Sequence, residues 1–264
     1  MRIVRTLVSV LVAGALLTAC GSSVAAPSAT PTRPASADVT TYRGDAGRTG
    51  VMEGPGPTGS LGVAWQFQAG APIVSSPAVT GDRAFLLSSD GIVHALDLET
   101  GNLAWEVNLG ATTRSASPLL VDGLVVVGDS SGVVHALDIA TGVKRWSTHT
   151  DGAIDGAAAG VGDLVLTATE GASVYALDAH TGAVAWKTKV AAGVTRSVAA
   201  SSNTVFVGAA ETMVALRLSD GSSLWQTPVA DAGECGTPTV ADGFVFDATG
   251  LDGGTLLVGT VVGS

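Results

Sequence analysis

Apolar and polar positions along this chain alternate in short blocks, with no long helical period. Between residues 118 and 146 the apolar runs are 118–121, 124–128, 133–137 and 143–146, divided by Asp122-Gly123, Ser131-Gly132 and Thr141-Gly142. Runs of four to six residues rich in Val and Leu and bounded by Gly and Asp turns predict β-strands. The same block recurs, and its stride is marked by the five tryptophans: Trp65, Trp105, Trp146, Trp186 and Trp225, spaced by 40, 41, 40 and 39 residues. A fixed period of this length means one supersecondary unit, too small to bury its own apolar face and therefore stacked on its neighbours.

Four strands in about 40 residues is the size of one β-propeller blade. The most faithful phrase runs A-L-D-L-E-T-G-N-L-A-W (95–105), A-L-D-I-A-T-G-V-K-R-W (136–146) and A-L-D-A-H-T-G-A-V-A-W (176–186), with an eroded copy at 215–225. Its turn has a mechanical reason: Asp97, Asp138 and Asp178 accept backbone N–H bonds from the residues ahead, while Gly101, Gly142 and Gly182 tolerate the positive φ that closes the hairpin. Each tryptophan then lies against the next blade. The expected fold is all-β, a propeller of four-stranded antiparallel blades. Three runs follow Trp225 (237–240, 243–248 and 255–262), and an orphan run with Trp65 (61–68) precedes the first unit. Together they make one blade, which predicts five blades with the N-terminal strand closing the last; an open or truncated arc of a larger propeller is the alternative.

At −10, the formal charge excludes nucleic acid as a partner, since polyanion binding needs clustered Lys and Arg and the chain has three Lys. The N-terminus reads as an export signal (1–19): Arg2 and Arg5, the apolar stretch 7–17, then Leu17-Thr18-Ala19-Cys20. L-T-A-C resembles the lipobox of bacterial lipoproteins, which implies that Cys20 is acylated and anchors the chain to the outer face of the bacterial cell membrane, or in the periplasm or at the outer membrane of a diderm host. An ordinary secretory peptide with an incidental Cys20 is the other reading. Residues 20–40, rich in Ser, Thr, Pro and Ala, form a tether, and 41–264 the repeat domain. Cys235 has no partner for an internal disulfide.

The phrase A-x-D-x-x-T-G-x-x-x-W resembles the tryptophan docking motif of PQQ-type (pyrroloquinoline quinone) β-propeller repeats, shared by quinoprotein dehydrogenases and the BamB outer-membrane assembly lipoproteins. T-Y-R-G-D-A-G-R-T-G-V (41–51) is similar to the segment leading into such repeats. Quinoprotein enzymes of this kind hold PQQ on a Trp floor under an adjacent Cys pair, with Ca²⁺ on Glu and Asn and a catalytic Asp. Here there is no Cys pair, and all five Trp stand at repeat positions. The expectation is accordingly no PQQ, no calcium and no enzyme activity. No serine sits in a G-x-S-x-G context, and His94 and His135 read as packing residues.

Just upstream of each innermost strand lie Ser75 and Ser76, Arg114 and Ser115, Asp155, Arg196, and Glu234 with Cys235. On a propeller these segments face one mouth of the central channel, where they hold a small polar ligand or a peptide side chain, or merely pair with one another at a wet rim. The functional expectation is a membrane-anchored extracytoplasmic module that binds or scaffolds envelope proteins or peptides, BamB-like; a small-ligand sensor with its site at the mouth is the alternative, and a degenerate PQQ-dependent dehydrogenase the third reading.

Overall fold

The structure, a computed structural model, describes residues 38–51, 60–190, 197–209, 212–228, 236–249 and 255–260. The export signal with Cys20, nearly all of the tether, Arg196, Glu234 and Cys235 lie outside the described residues.

Among the described residues there is no helix, and the strands form five antiparallel sheets, each built from strands consecutive in the chain. Sheet one holds β1 (Ala78–Thr80), β2 (Arg83–Leu87), β3 (Ile92–Asp97) and β4 (Leu103–Asn108); sheet two β5 (Leu119–Val121), β6 (Leu124–Gly128), β7 (Val133–Asp138) and β8 (Lys144–His149). Sheet three holds β9 (Ala159–Val161), β10 (Leu164–Thr169), β11 (Ser173–Asp178) and β12 (Val184–Lys189); sheet four β13 (Ala199–Ser201), β14 (Thr204–Ala209), β15 (Thr212–Arg217) and β16 (Ser223–Pro228). The fifth has three strands: β17 (Thr239–Ala241), β18 (Phe244–Thr249) and β19 (Thr255–Thr260).

Turn chemistry sets the registers. Asp122 (φ 48°) and Gly123 (φ 74°) both take positive φ between the paired Val121 and Leu124. That is the two-residue hairpin whose twist matches the strands it joins. At the D-x-x-T-G turns, Asp97 Oδ1 accepts from the Thr100 amide and hydroxyl at 2.8 and 2.7 Å, and Asp138 and Asp178 do the same with Thr141 and Thr181. Arg145 and the Thr141 hydroxyl hold the Asp138 carboxyl down at about 2. A register shift follows the alanine in all four complete sheets, and it sets each tryptophan opposite that alanine: Ala95↔Trp105, Ala136↔Trp146, Ala176↔Trp186 and Ala215↔Trp225.

The indoles then join the sheets. Trp65 Nε1 donates to Leu98 O, Trp105 to Ile139 O, Trp146 to Ala179 O and Trp186 to Leu218 O, at 2.7–3.2 Å. Each ring lies over the turn glycine of the following sheet, so closely that a Cβ on Gly101, Gly142, Gly182 or Gly221 would come within 2.5–2.8 Å of a ring carbon. Glycine is required there twice over, by φ near 70° and by the ring. Apolar clusters fill each junction; one, for example, joins Leu119, Val126 and Val134 of sheet two to Val165, Tyr175 and Leu177 of sheet three.

Two expectations change. Residues 60–69 carry no strand, so the run 61–68 does not complete the three-stranded fifth sheet. Trp65 docks on sheet one, and Phe67 packs edge-on against His94 at 5.2 Å, while Leu61 and Val63 stay exposed. Docking through side chains and pairing through a ladder are separable, and the run has no hairpin connection to align it with β19. In sheet four the innermost strand begins 16 residues before the repeated alanine, where an even repeat calls for the 17 seen in the other three complete sheets. The β14–β15 hairpin pairs Ala209 with Thr212, a tighter connection than its counterparts, and this makes Val198 the equivalent of Pro118.

Candidate functional site

The short strands β1, β5, β9, β13 and β17 adjoin in sequence, and one segment of the chain reaches all of them. Val39 bridges Val79 beside β2; the Leu120 amide donates to Thr40 O, the Ala200 amide to Ala46 O and the Val240 amide to Gly47 O, at 2.7–2.8 Å. The Thr41 hydroxyl donates to Ala158 O. This axial segment, residues 39–48, therefore bonds to the innermost strand of every sheet or to the residue next to it.

At its centre is Arg48, which is fully buried. Its Nε donates to Val198 O, Nη1 to the Thr41 hydroxyl and Tyr42 O, and Nη2 to Ala157 O and Ala158 O, all at 2.8–3.0 Å. Among the described residues, no carboxylate is hydrogen-bonded to it. Burial pulls its pKa down to about 10, with Tyr42 and Asp45 opposing the shift, so the guanidinium stays charged at neutral pH. A planar donor fork suits this place because it satisfies carbonyls on sheets three and four and on the axial segment at once.

Beside the segment opens a cavity of about 260 Å³. Its wall repeats with the fold: Ser76, Ser117, Ala157, Ser197 and Thr237 come from the same place in the five sheets, two residues before the start of the innermost strand, and Tyr42 joins them from the axial segment. Part of this ring is bonded across sheets. The Ser76 amide donates to Ser117 Oγ at 3.0 Å and the Ala157 amide to Ser197 Oγ at 2.8 Å.

Of the residues singled out at the mouth, Ser76, Ser115 and Asp155 line the cavity. Ser75 turns away, its Oγ accepting from the Leu87 amide at 2.9 Å. Arg114, largely exposed, pairs with Asp155 Oδ2 at 3.1 Å and with Glu170 at 3.4 Å, while Asp155 Oδ1 is buried without a hydrogen bond. The Ser115 hydroxyl donates to Asp155 O. Arg196 and Glu234 are outside the described residues. Sequence reasoning missed Tyr42, Arg48, Ser117, Ser197 and Thr237. The hydroxyls were legible as a 40-residue stride of Ser and Thr ahead of the inner strands; Arg48 had only its place in the T-Y-R-G-D-A-G-R-T-G-V segment (41–51).

One arrangement has the order of a nucleophile–base–acid set that the sequence did not reveal. Ser88 Oγ lies 3.1 Å from His94 Nε2, and His94 Nδ1 lies 3.5 Å from Glu106. Ser88 is fully buried and its hydroxyl donates to Asp90 at 2.5 Å. In sheet two the same place is filled by Asp129, 2.7 Å from His135 Nε2, so the pair is an internal brace of the sheet. Burial depresses the pKa of both histidines. Among the described residues, Asp122, Asp163 and His180 also bring possible ligand atoms within 4.8 Å of one another, on exposed turns.

Successive four-stranded sheets joined by indole docking define a PQQ-type β-propeller repeat protein. The chain belongs, more narrowly, to the family described as outer membrane protein assembly factor BamB, whose model matches residues 30–169 and 170–259. Solved structures agree on the fold. BamB from Moraxella catarrhalis matches with a TM-score of 0.51 at 18% identity, over 75% of this chain and 80% of that one. Quinohemoprotein alcohol dehydrogenases from Pseudomonas putida HK5 and Comamonas testosteroni match with a TM-score of 0.67 each, at 17% and 18% identity, over 84% and 86% of this chain. The chain spans 46% and 49% of those two enzymes. No curated protein matches by sequence.

Proposed function

We propose that this protein is an extracytoplasmic propeller, lipid-anchored through Cys20, that binds or scaffolds envelope proteins or peptides. The observation that carries the reading is family membership across residues 30–259. The geometry is in keeping with it: indole-docked sheets around a bonded axial segment make a rigid body that presents loops and outer strands, the surfaces by which such folds engage extended peptides. The axis does not fit a quinone cofactor. Trp65, Trp105, Trp146 and Trp186 are engaged at sheet junctions, leaving Tyr42 as the aromatic of the cavity wall. Calcium wants six to eight oxygens, and among the described residues Asp155 is the single carboxylate of that wall. We therefore read no PQQ, no calcium and no enzyme activity. The test is to isolate the full-length tagged protein from detergent-solubilised envelopes. A stoichiometric partner, lost when Cys20→Ser releases the protein from the membrane, supports the reading; recovery of the protein alone, with an unacylated N-terminus by mass spectrometry, counts against it.

A second reading, a small-ligand receptor, is favoured by one observation: the hydroxyl-lined cavity beside Tyr42.

A further inference from the structure

We propose that the axial cavity binds a neutral polyhydroxylated ring of monosaccharide size, either a free sugar or the end unit of a glycan chain. The inference rests on the small-ligand reading and gives it a chemical class. At about 260 Å³ the cavity falls just below the roughly 300–1,000 Å³ of drug-sized ligand sites, which is room for one ring.

Charge selects a neutral occupant. An anion would face Asp155, whose Oδ2 is already paired with Arg114. A cation would be opposed by Arg43 and Arg48, whose guanidinium groups lie 5.3 and 5.6 Å from the centre of the Tyr42 ring. Neither of those cations is held in reserve for an anion: Arg48 spends its donors on the axial segment and the inner strands, and Arg43 donates to Thr239. Among the described residues, what the wall still offers is the unpartnered Asp155 Oδ1 and hydroxyl chemistry. Ser117 and Ser197 each accept one amide, which fixes the oxygen and leaves the O–H to donate, and among the described residues Ser76 Oγ and Thr237 Oγ1 make no hydrogen bond. Hydroxyls that both donate and accept, arranged in a ring, are best matched by a ligand whose own groups do both on every side. The Tyr42 side chain supplies a flat surface for the C–H face of such a ring.

The test is saturation-transfer NMR on the full-length protein in detergent, using D-glucose, D-galactose, D-mannose and N-acetyl-D-glucosamine, with acetate and L-alanine as charged probes. At least one sugar is expected to bind at about 1 mM. Thr237→Val, which keeps the shape and removes the hydroxyl, should weaken it about fivefold, as should Ser117→Ala. Melting curves and tryptophan emission verify that both variants are folded. Maltose and lactose separate the two sources: binding retained in the disaccharides identifies a chain end, and binding lost identifies a free sugar. Sugar binding indifferent to both substitutions overturns the site. Binding of acetate or alanine in place of sugar, with Thr237 dependence, overturns the neutral ring and leaves the small-ligand reading standing. If no probe binds at 20-fold higher concentration (about 20 mM), both fall.

Discussion

The sheet junctions and the axis hold the same five sheets together by opposite chemistry. At a junction, an indole lies on glycine among Val, Leu and Ala, with one N–H donated to a carbonyl. At the axis, a buried guanidinium donates to carbonyls beside the inner strands, amides of those strands donate to carbonyls of the axial segment, and apolar contact is secondary. Junctions repeat, so the loss of one leaves the others intact. The axial segment occurs once and touches every sheet, so a single change there acts on all of them.

The comparison is broken most directly by Arg48→Met. An apolar isostere often replaces a buried ion pair at little cost, because both partners can be exchanged. Four of the five partners of Arg48 are backbone carbonyls, which no substitution removes, so Val198 O, Ala157 O and Tyr42 O are left without this donor in the interior. Relief of the desolvation that lowers the arginine pKa is outweighed, and a loss of about 5 kcal/mol is expected in chemical denaturation. Arg48→Lys should recover less than half of it, since an ammonium lacks the fork. A loss under about 1 kcal/mol for Arg48→Met would remove the axis from its central place.

Next in size is Trp146→Ala, at about 4 kcal/mol, because the ring is 9% exposed and leaves a cavity between sheets two and three. Trp105→Ala, whose ring is only partly buried, should cost less. Equal losses would mean that burial is not what the indoles contribute. Gly182→Ala attacks the same junction from below: a Cβ would stand 2.5 Å from a carbon of the Trp146 ring, at a φ of 71°. About 2 kcal/mol is expected from overpacking and backbone strain together.

This contrast also explains what was legible in the sequence. Asp138, Gly142 and Trp146 could be read because three copies of one phrase repeat one geometry, and the hairpin turns, the sheets and the family follow from it. Arg48 has no copies; apart from the Thr41 hydroxyl its partners are backbone carbonyls, which every residue carries and no side-chain pattern marks. The run around Trp65 was misread for a related reason. Its docking residues resemble those of outer strands, yet pairing depends on a backbone neighbour, and among the described residues no hairpin supplies one before sheet one as one does for β4, β8, β12 and β16. The hydroxyl ring lies between these cases, repeating at 40 residues but with Ala157 in the series and with the register of sheet four shifted by one.

The smallest effect separates the sheet interior from both. His94 and His135 are buried, and burial holds their pKa values below the ordinary 6.5. Below that value the unfolded chain takes up protons that the folded chain refuses, so stability falls as pH drops from about 6.5, with a slope of at most about 1.4 kcal/mol per pH unit for each histidine. Asp129 acts in a separate, lower window. Burial raises its pKa, but His135, Ser131 and the Val133 amide more than offset this, so its contribution is present above 3.8 and lost on further acidification. His135→Gln keeps a donor toward Asp129 and removes the titration. Melting curves from pH 7.5 to 5.0 should therefore show about half the wild-type slope in this variant, with the remainder due to His94. An unchanged slope would mean that the histidines charge in place and that the interior of sheet two is open to water.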